Sequence, residues 1–93
     1  MTVHAEDIEQ ALRAAFAPEA LEVHDDSHKH VGHAGAREGR HFSVVIVSGR
    51  FAGASPEARH RLVYDALADL MQKGIHALAI DARAPDEQQK PGL

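Results

Sequence analysis

No cysteine and no tryptophan occur among the 93 residues. The first absence excludes disulfides and every thiolate metal site, so a metal held by this chain alone must use His, Asp or Glu. Aromatics are scarce, with three Phe and one Tyr. Together with the length, this bounds the chain to one small domain with a modest core. No apolar run approaches the roughly 18 residues that a membrane helix needs. The first residues, MTVHAEDIEQALRAAF, are acidic and amphipathic and lack the basic and apolar regions of a signal peptide. A cytoplasmic location is therefore expected. Also missing are a nucleophile elbow, a phosphate loop and a paired-carboxylate spacing, so no enzymatic activity is expected.

The charge present is unevenly spread. The net charge is −4, yet residues 28–61 carry six bases (Lys29, Arg37, Arg40, Arg50, Arg59, Arg61), two acids and five histidines. A local basic segment can bind anions whatever the total. The negative total still disfavours tight, non-specific nucleic-acid binding, which scales with phosphates neutralised. His24, His28, His30 and His33 are spaced 4, 2 and 3 apart. Imidazoles suit zinc, copper, iron or nickel. Three of these four, however, lie among Gly32, Gly35 and Gly39, in a stretch that reads as a loop and does not fix their geometry.

Periodicity orders the rest. Ile8, Ala11, Leu12, Ala15 and Phe16 share one helical face in AEDIEQALRAAF, and Pro18 stops that helix. ALEVHDD alternates, with Leu21 and Val23 on one side and Glu22 and His24 on the other. HFSVVIVS is rich in β-branched residues and puts Phe42, Val44 and Ile46 on one face. Ser55 and Pro56 suit the N-cap and first position of a helix running to about Lys73, with Ala58, Leu62, Val63, Ala66, Leu67, Leu70 and Met71 as its apolar stripe. HALAIDAR is a third strand, and residues 85–93 (PDEQQKPGL) read as a disordered tail beyond a domain at 1–84. The order α-β-β-α-β predicts an α+β fold. The first two strands are antiparallel, and the last two are parallel with a right-handed crossover, in a three-stranded mixed sheet with helices on one face.

The segment Phe51–Tyr64, FAGASPEARHRLVY, places Arg59, His60 and Arg61 early in a helix, where the dipole favours acids. The pattern F-x-G-x-S-x-x-x-R-H-R-x-V-Y, set by Phe51, Gly53, Ser55, Arg59, His60, Arg61, Val63 and Tyr64, is followed by H-A-L-A-I at His76–Ile80. LEVHDDS and HFSVVIVS precede it in order. Together these resemble the BolA family, over about residues 6–84.

That resemblance implies a class II KH-like fold, α-β-β-α(short)-α-β, with the short helical turn near 50–54. It implies an adaptor that binds a monothiol glutaredoxin and co-ligates a shared two-iron two-sulfur cluster, in cluster trafficking or iron/redox regulation. The thiolates would come from glutaredoxin and its glutathione. The implied nitrogen ligands here are His76 and a loop histidine, His33, with His30 and His28 as alternatives. The family also includes DNA-binding transcriptional regulators of stress and morphology genes, which would place phosphate contacts on Arg50, Arg59 and Arg61. His60 is expected as a positioned polar contact at the helix start. The free chain is expected to be a monomer or weak homodimer.

Overall fold

The computed structural model describes residues 3–27 and 40–88. Helix α1 spans Ala5–Phe16, strand β1 Ala20–Asp25 and strand β2 Arg40–Val47. A single 3-10 turn at Gly49–Phe51 leads into α2, Pro56–Ala66, then α3, Ala68–Lys73. Strand β3 covers Ile75–Arg83, and a short α4 covers Pro85–Gln88. The sheet order is β1-β2-β3. Strand β1 pairs antiparallel with β2, and β3 pairs parallel with β2. The short turn falls where the family resemblance implies it.

One face of the sheet makes the core. Leu21 and Val23 from β1, Phe42, Val44 and Ile46 from β2, and Leu78, Ile80 and Ala82 from β3 meet Ile8, Leu12 and Phe16 of α1 and Val63 and Leu67 of the second helical arm. Fully burying each of the large side chains contributes about 1.5–3 kcal/mol. Phe51 is fully buried, with its ring centre 5.0 Å from that of Phe16. Ser48 completes this corner. Its buried hydroxyl donates to the Phe16 carbonyl at 2.8 Å and accepts from the Arg50 N–H at 3.1 Å.

Local chemistry explains most boundaries. The Asp7 carboxylate accepts the His4 N–H at 2.8 Å and satisfies a free donor at the start of α1. Ala17 ends α1 in the left-handed region at φ 44°. Gly53 takes φ +76° in the turn before α2, a conformation that favours glycine. Ser55 caps α2 by accepting the Ala58 N–H at 3.1 Å.

Three expectations change. The long helix is interrupted at Leu67, whose φ −103° and ψ 12° leave the helical region. No glycine or proline lies at this break. Leu67 is instead fully buried, so packing sets the interruption. Leu62, assigned to the apolar stripe, is 38% exposed, while its neighbour in that stripe, Val63, is fully buried. Part of the expected tail is also helical. Residues 85–88 form α4, where Glu87 accepts the Ala84 N–H at 3.1 Å and reaches Arg59. The rest of the expected tail, 89–93, lies outside the described residues.

Candidate functional site

The face of the sheet opposite the core carries the polar chemistry. Alternation puts His41, Ser43 and Val45 of β2 on that face because Phe42, Val44 and Ile46 point into the core. Ser43 stands opposite His24 in the β1 register, and His41 stands opposite Ala77 in the β3 register. A depression of about 260 Å³ is lined by Asp26, His41, Phe42, Ser43, Ala77, Leu78 and Ala79.

The start of β3 departs from regular pairing. Arg40 faces Ile75, but the next residue, His41, faces Ala77. His76 is therefore the extra residue of a β-bulge, a device that re-aims a side chain. Ile75 stays in the core at 6% exposure, while His76 and Ala77 are both exposed. Two consecutive residues thus reach the open side. The His76 ring lies beside that of His41, with centres 5.2 Å apart and planes at 50°.

The backbone around His41 is fixed from the β1 side. Its N–H donates to the Ser27 hydroxyl at 3.1 Å, and its carbonyl accepts the Asp26 N–H at 2.8 Å. The Asp26 carboxylate accepts the Ser43 hydroxyl. Next to this, Asp25 pairs with Arg40 and accepts the Ser27 N–H at 2.9 Å. Burial pushes the Asp25 carboxyl upward, but hydrogen bonds from Ser27 and Arg40 and the Arg40 charge outweigh it and hold the group at about 2. His24 is further out, exposed, with its Nε2 3.0 Å from Glu22 Oε1.

Of the residues singled out in the sequence, His76 sits at this site. His28, His30 and His33 lie outside the described residues. Arg50 and Arg61 are exposed. Arg59 is not available in the same way. Its side chain is only 12% exposed. It donates to the Ala54 and Ala82 carbonyls at 2.9 and 3.0 Å and forks onto Glu87 at 2.6 and 2.8 Å. These contacts tie α2 to β3 and α4. His60 is exposed. Phe51, Gly53 and Ser55 are the core anchor, the left-handed turn and the cap. In the sequence His41 is legible only as the start of a strand. The alternation of β2 already puts it on the open face, but its closeness to His76 depends on the bulge.

Comparison with known proteins shows what this arrangement belongs to. A family model described as BolA-like protein matches residues 12–87. The chain belongs to the BolA-like family. It is 47% identical over 85 residues to an uncharacterized protein in the cobS 5′ region of Sinorhizobium sp., covering 88% of this chain and 91% of that one. It is 48% identical over 75 residues to the DNA-binding transcriptional regulator BolA of Escherichia coli strain K12, covering 81% of this chain and 70% of that one. The BolA domain of SufE1 from Arabidopsis thaliana superposes with a TM-score of 0.81 at 42% identity, covering 94% of this chain and 98% of that one. The BolA-like match runs through Glu87, so the Arg59–Glu87 contact lies inside the family domain. No helix among the described residues is long and apolar enough to cross a membrane.

Proposed function

We propose that this BolA-like protein is a non-enzymatic, cytoplasmic adaptor that binds a monothiol glutaredoxin and supplies histidine nitrogen to a shared two-iron two-sulfur cluster. The observation that carries this is His76, an exposed imidazole held on the bulged start of a strand rather than on a loop. The donor chemistry fits. A chain without cysteine can complete such a cluster only with nitrogen or oxygen, and a shared site takes its thiolates from glutaredoxin and glutathione. Histidine in place of thiolate raises a cluster's potential. The second nitrogen comes from another histidine, with His33 the loop candidate and His30 and His28 its alternatives.

Anaerobic reconstitution with a monothiol glutaredoxin tests this. The expected outcome is a visible circular dichroism spectrum of the mixed complex that differs from that of glutaredoxin alone and changes in His76→Ala. Wild-type protein that leaves the glutaredoxin spectrum unaltered would remove the proposal.

A second function is favoured by the exposure of Arg50 and Arg61 and by the E. coli relative described as a DNA-binding transcriptional regulator. In that role the two arginines contact phosphates, which position a protein but read no sequence. Fluorescence anisotropy with duplex DNA should then show a salt slope that falls by about one for each arginine removed. Absence of binding near physiological salt would sink this role.

A further inference from the structure

We infer that the outer edge of β1 is a self-association surface, on which β1 of a second copy of this chain pairs antiparallel about Val23. The inference stands apart from the adaptor function. It comes from a difference between the two edges of the sheet.

Strands β1 and β3 are the outer strands. The N–H and C=O groups of successive strand residues point to alternate sides. The Asp26 N–H donates to the His41 carbonyl at 2.8 Å, in line with the register that pairs Ala20 with Val47. Glu22 and His24 therefore bond to β2, and Leu21, Val23 and Asp25 turn their backbone groups outward. On β3, the Arg83 carbonyl accepts the Ser48 N–H at 3.0 Å, so Leu78, Ile80 and Ala82 are the outward residues. That edge is blunted by α2. The Tyr64 hydroxyl donates to the Leu78 carbonyl at 3.4 Å, and Arg59 donates to the Ala82 carbonyl at 3.0 Å. Among the described residues no side-chain donor reaches the Leu21 or Val23 carbonyl. An open edge of this kind is a template for another strand.

Charge selects the strand that fits. Glu22 and His24 are exposed on the open face, with His24 Nε2 3.0 Å from Glu22 Oε1. In an antiparallel pair centred on Val23, Val23 meets the partner's Val23. Leu21 meets the partner's Asp25, a residue whose carboxylate already has Arg40. Glu22 then lies opposite the partner's His24, and His24 opposite the partner's Glu22. Both are non-hydrogen-bonded pairs, in which the Cα atoms approach to about 4.5 Å. Centred on Glu22 instead, the pairing sets Glu22 against the partner's Glu22. Centred on His24, it sets Glu22 against the partner's Asp26. The Val23 register is thus the one the charges favour. It also covers Leu21 and Val23, which the helices leave only partly buried. The start of β3 with His76 lies at the far edge and stays open.

Sedimentation velocity of the full chain over a range of concentrations tests this. The expected wild-type result is a reversible monomer–dimer equilibrium. Glu22→Lys alone and His24→Glu alone should each weaken it about tenfold, because both cross-strand pairs lose their attraction together. Mixed in equal amounts, the two variants should associate again, since each supplies the charge that the other lacks. A wild-type chain that stays monomeric, single variants that associate as the wild type does, or a mixture that does not recover would each overturn the inference.

Amide hydrogen exchange gives a readout without any substitution. As concentration rises, the Leu21 and Val23 N–H groups should gain protection, while those of Glu22 and His24, already bonded within the sheet, should not change. Protection of Leu78 and Ile80 instead would put the contact on β3 and overturn the inference. Full protection of Leu21 and Val23 in the dilute monomer would mean that the edge is covered within one chain, and would overturn it as well.

Discussion

On the covered face of the sheet, Phe42, Val44 and Ile46 are at most 2% exposed, while His41, Ser43 and Val45 of the same strand are only partly buried on the other face. The same division appears in α2. Arg59 is tied down by two carbonyls and a carboxylate, and Arg61, two residues on, is exposed. Side chains that alternate along a strand, or sit about 200° apart on a helix, meet different surroundings within one short segment. One segment can thus hold the fold together and present chemistry. Charge in the middle third of the sequence is therefore not one basic surface. Part of it is internal structure.

Removing an anchor on the covered side should have the largest effect. Phe51→Ala empties a fully buried site beside Phe16 and should cost about 3–5 kcal/mol in guanidinium unfolding. Arg59→Ala comes next. It removes the donor that joins the Ala54 and Ala82 carbonyls to the Glu87 carboxylate, for a loss of about 2–3 kcal/mol. Arg61→Ala, measured alongside, should stay within about 0.5 kcal/mol. Equal effects from the two arginines would break the comparison within α2.

A smaller effect belongs to Asp25, at the boundary between the faces. Its carboxyl is held at about 2 against an ordinary 3.8. Because the folded value is the lower one, its contribution is complete above about pH 4 and fades as pH falls toward about 2. Asp25→Asn should therefore cost about 1 kcal/mol at neutral pH, allowing for the partial exposure of the pair, and should flatten the acid limb of stability against pH. An unchanged limb between pH 4 and 2 would show that Arg40 and Ser27 do not favour the ionised form.

The smallest stability change is expected on the open face. His76→Ala should alter unfolding by no more than about 0.5 kcal/mol, because the ring is exposed and buries little. Its effect should instead appear in the spectrum of the mixed complex. A large loss of stability would mean that the bulge depends on the histidine, and the two faces would not be independent.

Much of the fold was legible in the residues. The 3.6 spacing of Ile8, Leu12 and Phe16, the alternation around Val44 and the Ser55–Pro56 start are local patterns that match the elements formed. The α-β-β-α-β order then left few ways to pair three strands, and the parallel β2–β3 pair is one of them. The site was legible only in part. His76 could be singled out through the motif around it, but nothing near it in the chain indicates His41, which is 35 positions away.

What the sequence determined by itself is what short-range sterics and apolar periodicity control: the helices, the strands, their buried sides and most of their ends. The tertiary structure alone decided three things: the break at Leu67, the burial of Arg59 against Glu87, and the bulge that sets His76 beside His41. Each depends on contacts between residues distant in the chain. Such contacts exist only once the sheet has paired and the helices have covered one of its faces.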